Sequence, residues 1–310
     1  MSSDSGNFLN DGRHVDFIDV SDRALIELTG AESLEFLQRI STNDLKELAH
    51  RSSISTILTS EKGRIVDLVT VHFVEPKTLL LAGNSTKPEQ VVQWLEKYIV
   101  MEDIQVKDLT PLLKQILLIG SQVELAREVS ESMKPLQCSV IEESDPRWGV
   151  RLITDEAAYQ KLMSLLSERG CRAASNSDHE AFRIAEGIPS YPQELSANYN
   201  PLEVGLWSLV SWTKGCYIGQ EVIARLDTYK KVQKSLVQLK IDRVPAEVPI
   251  PISVNGVEIG QLTSVAPISQ DGSYAALGFI KSQHLEDRSG FSASDGSGRM
   301  GIEVLSVVRW

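Results

Sequence analysis

Cysteine and histidine are scarce in this chain: Cys138, Cys171 and Cys216, and five histidines, in 310 residues. An odd number of cysteines with no Cys-x-x-Cys pair offers no disulfide framework and fits a reducing compartment. His14, His50, His72, His179 and His284 show no His-x-x-x-His spacing, so no helix-borne metal site is expected. Apolar runs are short. Stretches such as Leu79–Ala82 and Ile116–Ile119 fall far below the ~20 residues of a membrane span. The first sixteen residues carry acids and no apolar core, unlike a secretory signal or transit peptide, so a cytoplasmic location is expected. Positive charge is in deficit. With 31 Lys and Arg against 42 Asp and Glu the net charge is −11, which repels phosphate backbones and anionic lipid and argues against general nucleic-acid or membrane binding. Phosphate-loop and nucleophile-elbow signatures are missing. The string Gly296–Gly301 has dinucleotide-fingerprint spacing but leads from a Ser/Gly stretch into a β run, and reads as part of a loop over Arg288–Met300.

The patterning that is there predicts α+β architecture. Ala24–Leu28 reads as a strand, and Thr29 with Glu32 as a capping box ahead of a helix with Leu34, Leu37 and Ile40. Two β-rich runs, Ser53–Leu58 and Arg64–Val74, flank Glu61-Lys62-Gly63 as a hairpin. Pro88 opens a helix whose Val91, Trp94, Leu95 and Tyr98 share one face. Ile104–Leu109 and Ile116–Ile119 read as strands, and Ala157–Arg169 as a helix. After residue 234 the helical periods stop. Short β runs at Ser235–Ile241, Val257–Val265, Tyr274–Ile280 and Ile302–Val308, separated by Asn-Gly and Asp-Gly turns, predict a small β-barrel or sandwich.

Six of the 19 aromatic residues lie between Tyr191 and Tyr229, more than twice their even share, among several prolines and glycines. Such a stretch is either a packed connection between domains or a site for a flat heterocycle. Within it stands Lys214-Gly215-Cys216-Tyr217-Ile218-Gly219-Gln220-Glu221-Val222-Ile223-Ala224-Arg225. Two glycines around Cys216 allow close approach to a ligand and Lys214 would favour the thiolate, although a free cysteine also serves as a small packing residue.

This string resembles the signature of the YgfZ family of folate-binding proteins, related to the aminomethyltransferase (T-protein) of the glycine cleavage system. Further matches are Phe36-Leu37-Gln38 through Thr42-Asn43-Asp44, Lys62–Leu68, Arg183-Ile184 through Gly187-Ile188-Pro189, and Pro201-Leu202-Glu203. The resemblance implies a GcvT-like folate-binding region of mixed or antiparallel sheets with helices over residues 1–234, in two α+β subdomains, and a C-terminal β-barrel over 235–310. It implies tetrahydrofolate, or a one-carbon derivative, as ligand. Cys216 and Asp67 would be the reactive residues; Asp67, Glu203, Lys214, Tyr217, Gln220 and Arg225 would contact folate. Asp67 resembles the aspartate that the aminomethyltransferases hold near the reactive folate nitrogen. A flat pterin suits aromatic walls and a carboxylate.

Where aminomethyltransferases read Arg-x-Glu-Ala-Gly, this chain reads Arg183-Ile184-Ala185-Glu186-Gly187. The carboxylate is displaced by one residue, about 100° around a helix, which weakens the case for amine-linked transfer. The YgfZ branch implies support of iron–sulfur cluster assembly or repair, with iron–sulfur proteins and radical tRNA-methylthiolating enzymes as partners. The alternatives are a folate-dependent aminomethyltransferase or demethylase, and a non-catalytic interaction scaffold. One cysteine cannot hold a cluster alone. Between Arg225 and Arg243 six cations face two acids, a basic segment that reads as a solvated face or a receiver of an acidic tail or partner.

Overall fold

The computed structural model describes residues 16–48, 53–119, 123–133, 138–142, 149–269, 272–286 and 290–310. Residues 1–15 of the charged N-terminal stretch, His14 among them, and His50 lie outside them. Two antiparallel sheets with helices precede a closed barrel. The first sheet has strand order β3-β4-β5-β2-β6, built from β2 (Leu25–Thr29), β3 (Ser53–Thr59), β4 (Ile65–Glu75), β5 (Thr78–Gly83) and β6 (Gln105–Asp108). The helices α1 (Ser33–Ile40) and α2 (Pro88–Tyr98) bring Phe36, Leu37, Val91 and Leu95 into one core with Ile26, Leu28, Val69 and Leu81. Pro88 opens α2 as expected. The expected capping box is overturned. Thr29 is spent on strand pairing with Thr78 and Gln105, and α1 begins after Glu32 without a side-chain cap. The Glu32 carboxylate instead accepts from the Asp103 backbone N–H at 3.2 Å.

The β3–β4 hairpin turns where Glu61-Lys62-Gly63 places it. Gly63 adopts φ +66°, its N–H donates to Ser60 O, and Ser60 N–H donates to Arg64 O. The second sheet has order β1-β7-β9-β8, from β1 (Phe17–Asp19), β7 (Lys114–Leu118), β8 (Cys138–Glu142) and β9 (Val150–Thr154). It packs under α3 (Val123–Ser132) and α4 (Glu156–Glu168), whose Ala126, Val129, Leu162 and Leu166 cover Ile116, Leu118 and Leu152.

Next comes α5 (Asn176–Ala185), started by a capping box between Ser175 and Asp178. From Glu186 to Gly219 the described backbone is turns and one 3-10 turn, followed by α6 (Gln220–Thr228). The barrel closes in the order β10-β13-β12-β11-β14-β15, with β10 (Lys234–Ile241), β11 (Ile250–Val254), β12 (Val257–Val265), β13 (Tyr274–Lys281), β14 (Phe291–Asp295) and β15 (Gly298–Val307). The loop expected over Arg288–Met300 is corrected here, because Phe291–Asp295 is a strand paired with Gly298–Ile302. Alternate Phe291 and Ala293 face alternate Met300, Ile302 and Val304 in the barrel core, and this period of two outweighs the Ser/Gly composition.

The irregular segment is the joint of the molecule. Leu195, Tyr199, Val204 and Leu206 form one core with Ile57, Ile65 and Leu68 of the first sheet, Ile184 of α5, and Leu236, Leu277 and Phe279 of the barrel. Tyr199 stacks on Phe279 with ring centroids 3.7 Å apart. Beside it lies a buried ion pair. Glu194 is 0% exposed and Arg183 2%. Glu194 accepts from Thr263 Oγ1 (2.6 Å), Ser264 Oγ (2.7 Å), Ser190 N (3.1 Å) and Arg183 Nη1 (3.4 Å). Arg183 also donates to Glu180, at 2.5 and 2.7 Å, and to Ser264 Oγ at 2.9 Å.

Removing one member of a satisfied buried pair strands the other's charge. Glu194→Ala is expected to destabilise the chain by about 3–5 kcal/mol in urea unfolding, and the double variant Glu194→Leu with Arg183→Met by less than Glu194→Ala alone. Equal or greater loss in the double variant would show that the charges themselves, not their pairing, matter.

Candidate functional site

Asp67 lies on β4 opposite Leu58 and is wholly buried. Its carboxylate accepts from the backbone N–H groups of Leu68 (2.9 Å), Ser85 (3.1 Å) and Asn84 (3.2 Å). Leu68 is the next residue on β4 and Asn84 and Ser85 follow the end of β5, so the hydrogen-bond cradle is built from the neighbouring backbone of the sheet itself. Gly83 makes room for it: a Cβ there would stand 2.3 Å from Asp67 Oδ2. Burial raises the Asp67 pKa to about 7, against the opposing pull of the three N–H groups and the Arg151 guanidinium. The carboxyl is thus poised near neutral pH, between proton holder and anion.

Around it the two sheets meet through polar contacts. Arg151 on β9 donates to Gln115 Oε1 (2.9 Å) and Gly83 O (3.4 Å), and Gln115 donates to Arg23 O (2.6 Å). Asn84 donates to Leu68 O (3.0 Å) and accepts from Arg23 Nη1 (3.3 Å). Asn84, Arg23, Arg151, Phe182, Arg183 and Ile188 line a cleft of about 30 Å³ together with His179. That volume holds one or two waters and is too small for a bicyclic ring unless its walls part. His179 is half-buried, and its desolvation, with Arg23 and Arg183 nearby, lowers its pKa to about 3 and leaves the ring neutral at physiological pH.

The Lys214–Arg225 string forms a second locus, stitched onto the first sheet. Lys214 is buried, and its ammonium donates to Ser41 O (2.8 Å) and Asn43 O (2.6 Å) while lying over the Tyr217 ring at 5.5 Å. Burial lowers its pKa to about 8. Thr59 Oγ1 donates to Ile218 O at 2.7 Å. Gly219, with φ +82°, brings the chain so near the β3–β4 turn that a Cβ would lie 2.6 Å from Ser60 O. Tyr217 is buried with Leu202, Val210 and Ile223, and burial pushes its pKa up to about 12. Cys216 and Gly215 are exposed.

Several sequence expectations shift accordingly. Lys214 spends its ammonium on two carbonyls of the α1–β3 connection, so its visible role is to anchor the loop. Gly219 serves protein packing, whereas a Cβ on Gly215 would meet nothing within 4 Å. Glu203 is buried and accepts from Arg64 Nη1 (3.2 Å) and Asn200 N (3.0 Å), which commits it to the Asn200–Glu203 turn. Arg225 pairs on the surface with Glu221 at 2.6 Å, and Gln220 is half-buried at the start of α6. Ala185 offers no carboxylate, its backbone O accepting from Gln238 Nε2 at 2.5 Å. Asn84, Arg23, Gln115 and Arg151 were missed, since they are far apart in sequence and in no motif. Among the described residues no group of His, Cys, Asp and Glu could hold a metal, and no helix is long and apolar enough to cross a membrane.

Gly83→Ala is expected to displace the Asp67 carboxylate and lower stability by about 1–3 kcal/mol through overpacking. Gly219→Ala carries both a steric clash and a left-handed backbone, and is expected to free the Cys216 loop, read as faster proteolysis between Lys214 and Arg225. A Gly219→Ala protein cut no faster than wild type would show that the loop is held without this contact.

Residues 10–138 match the GCVT N-terminal domain. The chain is 28% identical over 284 residues to a chloroplastic protein of Arabidopsis thaliana whose name gives it only as a transferase, covering 86% of this chain and 65% of that one. It thus spans less than two thirds of that relative. It is 26% identical over 271 residues to an aminomethyltransferase of Bacillus cytotoxicus, covering 79% of this chain and 73% of the relative. Among solved structures, the glycine cleavage system aminomethyltransferase T of Bartonella henselae aligns over 94% of this chain and 84% of its own, with a TM-score of 0.77 at 18% identity. The chain therefore has the α+β fold of aminomethyltransferase T, with a GCVT N-terminal domain match in its first half and a closed six-stranded barrel at its C-terminal end.

Proposed function

We propose that this protein binds tetrahydrofolate as an accessory factor for iron–sulfur cluster assembly or repair, with radical tRNA-methylthiolating enzymes among those it supports and Cys216 as its working thiol. The observation that carries the folate part is the buried Asp67 carboxyl, held by the backbone N–H of Asn84, which itself lines a cleft with Phe182 and Arg183. The name of the Bacillus relative and the resemblance of Lys214–Arg225 to the YgfZ signature support folate as the ligand, and that name by itself fits the aminomethyltransferase alternative as well. Tetrahydrofolate supplies a secondary amine nitrogen that carries one-carbon units. Asp67, titrating near neutrality, would meet that nitrogen as acceptor or donor, and the Gly83 cradle keeps the carboxyl fixed while it does so. The fit is incomplete on one side: with Ala185 in place of a glutamate, the pterin's donor edge finds no second carboxylate, and the cleft must widen to admit the ring.

The thiol belongs to a different surface. Cys216 is exposed on a loop whose backbone is fixed at both ends, by Lys214 and by Gly219, so it can meet a persulfide, an iron or a partner's thiol without the loop reorganising. A cytoplasmic, reducing setting keeps it a thiol, and the folate-binding and barrel units divide near residue 234 in this reading. A folate-dependent aminomethyltransferase or demethylase is the second reading, favoured by the raised Asp67 pKa and disfavoured by Ala185.

The test is calorimetric titration of reduced protein with tetrahydrofolate. Wild type and Cys216→Ala are expected to bind equally, and Asp67→Ala at least tenfold more weakly. Cys216→Ala should abolish support of cluster-enzyme activity in a strain lacking the protein, whereas full rescue by that variant would remove the accessory reading. Asp67 also fixes a pH dependence. Its folded pKa of about 7 lies above the ordinary 3.8, so the native state holds the extra proton between those values and stability falls as pH rises from about 4 to about 7. The stability of wild type relative to Asp67→Asn is expected to drop across that window by on the order of 4 kcal/mol. A flat difference would mean that Asp67 is ionised throughout.

A further inference from the structure

A groove of about 390 Å³ lies apart from the Asp67 cleft and shares none of its lining residues. It runs between the end of α6, the turn bearing Leu202 and Trp207, and the barrel at Ser235, Ser282 and Val307–Arg309. Its size falls within the ~300–1,000 Å³ of small-molecule sites. The walls are apolar: Leu202, Trp207, Leu226, Val232, Leu285 and Val308. Leu202 and Val308 are buried as its floor, while Trp207, Leu226, Val232 and Leu285 remain half-buried along its sides. Apolar surface is thereby left facing water in a concave place, where an occupant would gain most.

The rim has the opposite sign to the chain. Lys230 and Arg309 are exposed on the groove, with Asp227 as the one acid lining it, in a protein of net charge −11. Neither cation has a carboxylate partner among the described residues, whereas other cations of the Arg225–Arg243 segment are engaged. Arg225 pairs with Glu221, Lys234 lies over Tyr199 at 4.3 Å, and Arg243 pairs with Asp295 at 2.7 Å. Lys230 is set at the rim by backbone geometry: it adopts φ +49°, its N–H donates to Asp227 O, and Lys231 N–H donates to Leu226 O. Lys231 turns away to lie over the Tyr229 ring at 5.2 Å.

We infer that this groove is a second ligand site, for an aromatic carboxylate whose ring body lies against Trp207 and Leu226 and whose carboxylate meets Lys230 and Arg309. The aromatic wall and the trough shape suit a flat body, and two cations against Asp227 leave one net positive charge, which suits a monoanion. The site is independent of the folate reading, since it uses none of the Asp67 cleft.

The test uses anilinonaphthalene sulfonate, an aromatic monoanion, as a fluorescent probe on folded protein, with 2-naphthoate and the uncharged 2-naphthalenemethanol as competitors. Wild type with native near-ultraviolet dichroism is expected to show saturable one-to-one binding, displaced by 2-naphthoate at least tenfold more readily than by the alcohol. Lys230→Glu should weaken the probe at least tenfold. Val307→Trp, on the exposed side of β15, should fill the groove and abolish binding, both variants melting as wild type does. No saturable binding to native wild type, or unchanged binding in both variants, would overturn the site. So would equal displacement by the two competitors, which removes the carboxylate from the argument. Displacement of the probe by tetrahydrofolate would overturn its independence from the Asp67 cleft, while folate binding that is absent altogether would leave this site standing.

Discussion

The buried pair of Arg183 and Glu194 holds the irregular middle of the chain to both of its neighbours. Glu194 belongs to a turn, Arg183 to α5, and Thr263 and Ser264 to the barrel, so one carboxylate gathers donors from three parts of the sequence. Such a cluster contributes little net free energy while complete, because desolvation offsets attraction. Its effect is positional: the bonds to Thr263 and Ser264 tie the barrel to α5 through the one carboxylate of Glu194. The cleft beside Asp67 shares Arg183 as a wall, and so inherits its shape from this contact.

Asp67 illustrates the balance between burial and hydrogen bonding. Three backbone N–H groups and a nearby guanidinium favour the anion, yet full desolvation outweighs them and brings the carboxyl to the edge of ionisation. Its rigidity comes from Gly83, whose missing Cβ is the space that Asp67 Oδ2 fills.

The Cys216 loop shows the converse arrangement, an exposed group on a buried foundation. Lys214 places its ammonium against two carbonyls that cap the end of α1 and the turn beyond, and the Tyr217 ring supports it from the side. The cost of burying that charge appears as its lowered pKa. What the loop gains is a fixed thiol at the surface rather than a mobile one, and the same stitching sets the course of α6 and hence the wall of the apolar groove.

Much of the fold was legible in the residues because it rests on local rules. The β3–β4 hairpin follows from two β-branched runs around a glycine that must take positive φ, α2 from Pro88 and an apolar face, and four of the six barrel strands from short β runs between Asn-Gly and Asp-Gly turns, β11 and β14 being the two that were not read. Where local signals conflicted the residues misled: Thr29 looked like a cap but was needed as a strand residue, and Ser/Gly composition hid the alternation of Phe291, Ala293, Met300 and Ile302. The site was only half legible. Asp67 and the Cys216 string could be singled out from sequence motifs, but their separation into a buried cleft and an exposed loop could not. Nor could the commitment of Glu203 to Arg64, or the assembly of Arg23, Asn84, Gln115 and Arg151 around Asp67, residues up to 128 positions apart. Burial and hydrogen-bond partners are properties of the packed chain. The sequence determined the elements and the chemistry that each residue can perform; only tertiary structure decided which polar groups face one another and which face water.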